Sequence, residues 1–225
     1  EPDEAVASYR RALRLQPQSA EAHYNLGRVC EAQGKLEDAG RSYQRAVALR
    51  PDYTEAHFNR GNVLQATGQA EEALASYQRT VALKPDYAEA HNNLGAQFES
   101  ADRLDEAMAS YRRALALRPD FPEAHNNLGN VLLAAGRPDE AIASYQAAIP
   151  RRPDYAEAHN NLGNALQAAG RLDEAVRCHD RAPALKPDFA RTLAMCRTYR
   201  LLDPRRPLAQ LLGLDHQQVA ARIDA

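Results

Sequence analysis

Five asparagines recur with a 34-residue period: Asn25, Asn59, Asn93, Asn127 and Asn161. An asparagine side chain offers one acceptor and two donors, the groups needed to match another backbone. Asparagine is a mediocre helix former, so an exposed helical position has no intrinsic reason to choose it every time. A row of these amides suits an extended peptide held with little regard to its sequence. The column three residues further on reads Arg28, Asn62, Ala96, Asn130 and Asn164. It has drifted where the first column has not, which argues for a constraint beyond recent duplication. The alternative is a solvated face left over from that duplication.

Five histidines keep the same period: His23, His57, His91, His125 and His159. Metal ligands must converge to about 2 Å from one ion, whereas neighbouring hairpins pack roughly 10 Å apart. The histidines are therefore read as packing residues, with a pH-sensitive core as the alternative. Carboxylates recur as Asp105-Glu106 and Asp173-Glu174 at the starts of expected helices, where they complement the helix dipole. The chain has no G-x-S-x-G, no phosphate-cradling glycine loop and no H-E-x-x-H. No catalytic, cofactor-binding or metal-binding residue is assigned, and the chain is read as non-catalytic. A non-catalytic region of a larger enzyme is the remaining enzymatic reading.

The elements that place these rows follow from the period itself. Pro17, Pro51, Pro85, Pro119, Pro153 and Pro187 stand in register, as do Gly27, Gly61, Gly95, Gly129 and Gly163. A repeat of this length signals stacked helical hairpins, each too small to bury its apolar face alone. The expected fold is all-α, a right-handed α-solenoid of stacked antiparallel helix pairs. In the repeat 88–121, Ala90, Leu94 and Phe98 form one apolar stripe of a first helix ending near Ser100. A turn at Asp102 corresponds to Gly34, Gly68, Gly136 and Gly170, which suit a left-handed position after a helix. The second helix covers about 105–117, with Ala107, Tyr111 and Ala114 facing its partner; Gly95 and Ala107 let the two helices approach closely, and Tyr111 fills the space between turns. Asp86 with Glu89 reads as a capping box, as do Asp52/Glu55, Asp120/Glu123 and Asp154/Glu157.

These residues resemble the tetratricopeptide repeat family. Its pattern falls on His91, Leu94-Gly95, Phe98, Ala107, Tyr111, Ala114 and Pro119 of this repeat. The match extends over residues 1–189, with histidine in place of the usual tryptophan. The H-N-N-L-G wording further resembles the repeat region of O-linked N-acetylglucosamine transferases and their bacterial relatives. That resemblance implies that Asn25, Asn59, Asn93, Asn127 and Asn161 line a concave first-helix face and grip a peptide backbone, with Asn62, Asn130 and Asn164 beside them. Tyr24 and Phe58, where later repeats have Asn92, Asn126 and Asn160, offer an apolar anchor at the N-terminal end. The carboxylate clamp of chaperone adaptors is not expected, because Lys35, Lys84 and Lys186 all lie outside first helices.

The organisation read from this register is a lone second helix at 1–19 and five complete repeats at 20–53, 54–87, 88–121, 122–155 and 156–189. A degenerate cap and C-terminal extension follow at 190–225. There Met195 and Arg197 replace the expected asparagine and glycine, Pro204 and Pro207 break the pattern, and 215–223 reads as a short amphipathic helix. Pro150 and Pro183 fall in the last turns of second helices, which should end early or bend. Arg60 stands at a core leucine position and should carry its guanidinium out to solvent or a carboxylate. The lone helix at the start should pair end to end with another copy or fray.

The net charge of −2 gives no reason to propose nucleic acid or an anionic membrane as partner. No apolar run approaches the roughly 18 residues of a membrane span. Cys30, Cys178 and Cys196 fit a reducing compartment, so a cytoplasmic location is the default. The expected function is a protein-interaction module for an extended partner segment, with no cofactor. The alternatives are the substrate-recruiting arm of a larger transferase and a self-assembling scaffold.

Overall fold

The computed structural model describes residues 2–185, with side chains over 3–178. The readings made for 190–225 lie outside the described residues. The elements are α1 (Pro2–Leu15), α2 (Ala20–Ala32), α3 (Leu36–Leu49), α4 (Thr54–Ala66), α5 (Ala70–Leu83) and α6 (Ala88–Ser100). They continue with α7 (Leu104–Leu117), α8 (Pro122–Ala134), α9 (Pro138–Arg151), α10 (Ala156–Ala168) and α11 (Leu172–Leu185). No strand occurs among the described residues. The even-numbered helices are the first helices of the repeats, and the odd-numbered ones the second.

Local chemistry sets the hairpin turns. Gly34, Gly68, Gly136 and Gly170 have φ between 71° and 77°, and Asp102 takes their place at 57°. That left-handed step lets the following amide reach back to close the helix's last turn. The resulting bonds run from Lys35 N to Cys30 O (2.9 Å), Gln69 N to Leu64 O (2.8 Å) and Arg103 N to Phe98 O (2.9 Å). Arg137 N to Leu132 O and Arg171 N to Leu166 O repeat the bond in the later hairpins.

The capping boxes expected at Asp52/Glu55, Asp86/Glu89 and Asp154/Glu157 are not formed. The N-caps of α4, α6 and α10 are Tyr53, Tyr87 and Tyr155, none with a side-chain cap bond. Asp52, Asp86 and Asp154 stand one residue too early. The turn closes instead through backbone bonds such as Tyr53 N to Arg50 O at 3.1 Å. Glu89 is drawn away to Arg118, at 2.6 Å. By contrast α2 has a side-chain cap of the expected kind, Ser19 accepting from Ala22 N at 3.2 Å.

Within each hairpin a glycine receives a tyrosine ring. A Cβ built on Gly95 would lie 2.7 Å from Tyr111 Cε1, and one on Gly61 would lie 2.7 Å from Tyr77 Cε1. Tyr43, Tyr77 and Tyr111 are completely buried and Tyr145 nearly so. Ala90, Leu94, Phe98, Ala107 and Ala114 are buried with them, as the apolar stripes require.

The chain divides into two compact units, residues 1–127 and 128–225. In the first, α1 packs on α2, α3 on α4, and α5 on α6, while α2/α3, α4/α5 and α6/α7 form the hairpins. Helix α1 places Val6 in the core, with Tyr9 and Leu13 packed against it. In the second unit α9 packs on α10, and α10/α11 form a hairpin.

The irregular residues resolve differently. Pro150 and Pro183 do not end their helices early: α9 and α11 have the same 14 residues as α3, α5 and α7. Pro150 is the penultimate residue of α9, so it removes a single last-turn bond, and Arg152 N still closes on Ala148 O at 3.1 Å. Arg60 behaves as expected. It donates to Ser76 Oγ and to Glu72 Oε2, both at 2.9 Å, with its side chain 20% exposed.

Candidate functional site

The first helices are set in place at their N-terminal ends by a repeated polar staple. Nε2 of His23, His57, His91, His125 and His159 lies 3.0–3.1 Å from the carbonyl of Pro17, Pro51, Pro85, Pro119 and Pro153, respectively. A carbonyl only accepts, so Nε2 carries the proton. The histidines are thus packing residues, each also tying its helix to the turn that precedes it. Burial holds His57 and His91 below the ordinary histidine pKa, partly opposed by the hydrogen bond.

The next layer is aromatic. Tyr24 packs on Tyr53 with centroids 4.8 Å apart, and Phe58 on Tyr87 at the same separation. Both are half-buried, so they show part of a ring rather than a free face. A cation stacks over the turn aromatic in each of four repeats: Arg50 over Tyr53, Lys84 over Tyr87, Arg118 over Phe121 and Arg152 over Tyr155. Where asparagine replaces the ring, Asn126 and Asn160 are buried.

The asparagine row is half-buried at every position and, from Asn59 onward, bonded to the repeat before it. Asn59 Nδ2 donates to the Tyr24 hydroxyl at 3.3 Å, and Asn93 Nδ2 to Asn62 Oδ1 at 3.0 Å. Asn127 Nδ2 donates to Asn92 Oδ1 at 3.3 Å. In the second unit Asn161 Nδ2 donates to Asn130 Oδ1 at 3.0 Å. Asn164 is exposed on α10.

The drift of the second column has a physical counterpart. The buried Tyr77 hydroxyl lies 2.8 Å from both Asn62 Oδ1 and Gln65 Oε1, and Tyr145 donates to Asn130 Oδ1 at 2.7 Å. Where that column reads Arg28 or Ala96, the tyrosine turns to a carboxylate one helical turn away. Tyr43 donates to Glu31 at 2.6 Å and Tyr111 to Glu99 at 2.7 Å. Burial raises Tyr77 to about 12. Burial together with the neighbouring carboxylate pushes Tyr43 and Tyr111 higher still. Sequence reasoning missed Glu31, Glu99 and Asn92 as members of this network. Their signal was present as a compensating pair of columns, glutamate appearing where asparagine is lost.

On α4 the network fixes two amides in opposite senses. Asn59 is tied through Nδ2, leaving Oδ1 as its acceptor. Asn62 is tied through Oδ1, which accepts from Tyr77 and Asn93, leaving Nδ2 as its donor. The two lie one turn apart on the same face. Asn93 has both ends engaged, because its Oδ1 accepts from Asn92 at 3.3 Å. No helix among the described residues is long and apolar enough to cross a membrane.

The fold defines an all-α array of helical hairpins, and four family models agree on its identity. Models described as tetratricopeptide or TPR repeats match residues 1–54, 42–75, 66–100, 100–136, 129–170 and 158–191. The chain belongs to the tetratricopeptide repeat family. Among solved structures it is similar to MamA, at 26% identity and a TM-score of 0.69, covering 76% of this chain and 94% of that one. YrrB, described as a TPR protein with an unusual peptide-binding site, is 22% identical with a TM-score of 0.70, covering 81% and 94%. A thermophilic TPR protein of Thermus thermophilus is 23% identical with a TM-score of 0.61, covering 79% and 98%. No curated protein matches the sequence.

Proposed function

We propose that the chain is a protein-interaction module whose first-helix face holds an extended segment of a partner protein. The observation that carries this reading is the opposed pinning of Asn59 and Asn62 on α4. One amide is left with an acceptor and the other with a donor, which is what the N–H and C=O of an extended backbone require. A pinned amide loses little further rotamer entropy on binding, so the hydrogen bonds come preorganised. In the first unit Asn25 and Asn127 extend the row on either side of Asn93, whose amide braces Asn62 and Asn92, and Tyr24 and Phe58 supply ring edges for an apolar residue of the ligand. In the second unit Asn130, Asn161 and Asn164 provide a shorter set.

Family membership and the likeness to YrrB support a binding module; the face and its residues are the proposal. The wording shared with O-linked N-acetylglucosamine transferases would make the same face the recruiting arm of a larger enzyme, with the same mode of peptide capture. The test is a peptide selected against the chain from a random library, then resynthesised with single backbone N-methyl groups. N-methylation at the residue opposite Asn59 should weaken binding about tenfold, as loss of a backbone hydrogen bond implies. Asn62→Ala should do the same to the parent peptide. Indifference to N-methylation along the whole peptide would refute backbone recognition by this face.

A further inference from the structure

Helices α1, α2 and α3 enclose a small crevice with three arginines in its lining, Arg10 from α1 and Arg41 and Arg45 from α3. Asp38 is the one carboxylate among its lining residues. That carboxylate is already divided: Oδ1 accepts from Arg41, and Oδ2 lies 3.6 Å from Arg10. Among the described residues Arg45 has no ion-pair partner. Nearby, Lys35 and Asp3 pair with each other at 3.4 Å and leave the excess unchanged. The floor is apolar, formed by the buried Leu26 and Cys30. Burial pushes the Cys30 thiol up, so it adds no negative charge. His23 and Ser42 also line the crevice, but they donate inward, to the carbonyls of Pro17 and Asp38.

The other repeats show that this charge is not built into the hairpin. Arg10 stands in a column that continues Gln44, Gln78, Arg112 and Gln146, and Arg41 in one that continues Ala75, Ala109, Ala143 and Arg177. The column of Arg45 continues Arg79, Arg113, Ala147 and Arg181, so arginine fills all three positions at this interface alone. Asp38 is also the only aspartate in a column of glutamates, Glu72, Glu106, Glu140 and Glu174. Its shorter side chain keeps the carboxylate closer to α3.

We infer that the crevice binds a phosphate monoester, with Arg10, Arg41 and Arg45 as its donors. Charge and size both select this group. Three guanidiniums against one carboxylate leave two positive charges, and a phosphoryl group on a side chain carries about −1.5 to −2 at pH 7. Guanidinium forks match phosphate oxygens in geometry as well as charge. The cavity measures about 200 Å³, below the roughly 300–1,000 Å³ of pockets that take drug-sized ligands. It therefore suits the phosphoryl group and not the whole of a nucleotide. Arg41 and Arg45 lie four residues apart on one helix face, where like charges repel, and a bound dianion relieves that repulsion. The site shares no residue with the asparagine row and does not depend on that row binding anything.

The test titrates the full chain at constant ionic strength with N-acetyl-phosphoserine N-methylamide, its serine counterpart and inorganic phosphate. The phosphoserine probe should bind saturably at millimolar concentration or below and raise the melting temperature, and the serine probe should do neither. Arg41→Ala installs the residue found in three other repeats, so the chain should remain folded. It should weaken phosphoserine binding about tenfold or more, as loss of a charge-assisted hydrogen bond implies. Arg45→Gln should act likewise, while Arg79→Gln, in the same column one repeat on, should leave the affinity unchanged. Tighter binding of the phosphoserine probe than of inorganic phosphate would support the site with a phosphorylated protein segment as its source. The opposite order would support it with free phosphate as the source. Equal response to the phosphoserine and serine probes would overturn the inference. So would binding that survives both Arg41→Ala and Arg45→Gln, or an equal loss in Arg79→Gln, which would mark a diffuse surface charge.

Discussion

The bond between Asn62 and Asn93 allows the asparagine row to be weighed quantitatively. On sequence grounds, Asn93→Ala should hold or raise stability, because alanine gains about half a kcal/mol of helix propensity. The structure adds an opposing cost, the 3.0 Å bond from Asn93 Nδ2 to Asn62 Oδ1, worth about 0.5–1.5 kcal/mol net. The single variant should therefore change stability by only about 0–1 kcal/mol, too little to distinguish the two views. A double-mutant cycle isolates the bond. Asn62→Ala also removes the acceptor of Tyr77, but Gln65 Oε1 remains at 2.8 Å, and this change is present in both arms. The coupling between positions 62 and 93 should be about 0.5–1.5 kcal/mol, above the roughly 0.3–0.5 kcal/mol scatter of independent sites. Hydrogen exchange of the α4 and α6 amides is the appropriate assay, because hairpins of a repeat array open semi-independently. The pair Asn25 and Asn93, two repeats apart, should be additive. A coupling at 62 and 93 no larger than that control would refute the clamp and return the row to solvated surface.

Two further outcomes follow from the same contacts. Gly95→Ala should destabilise the chain by roughly 1–2 kcal/mol, because overpacking against the buried Tyr111 ring outweighs about 1 kcal/mol of helix propensity; a raised melting temperature would mean the ring has room to move. His57 and His91 have pKa values lowered by burial, so the unfolded chain binds more protons as pH falls below about 6.5. Their contribution is fully present above that pH and declines below it, towards the folded-state values. Thermal melts from about pH 7.5 to 5.5 should show this loss, and a His57→Gln/His91→Gln variant should flatten it. An unchanged slope in the variant would place the titration elsewhere.

Much of the fold could be read directly because local chemistry repeats along the chain. The left-handed turn at Gly34 and its equivalents, the glycine–tyrosine fit and the 34-residue register each rest on contacts within one hairpin. Three capping boxes failed for a local reason as well: Tyr53, Tyr87 and Tyr155, each following its aspartate, occupy the cap and are held by ring contacts and backbone bonds. A proline such as Pro150 could not be judged from sequence alone, since its cost depends on whether the bond it removes lies in the interior or in the last turn.

The family, the helix order and which columns of residues share a face were legible in the residues alone, because all of these follow from periodicity and from rules that act over a few residues. The sequence also offered the asparagine row as a face for gripping an extended peptide, without showing how each amide is held. What each amide does with its two ends depends on the packing of one repeat against the next. Those bonds run between residues 31 to 35 positions apart, and they form or fail according to what the neighbouring repeat places opposite.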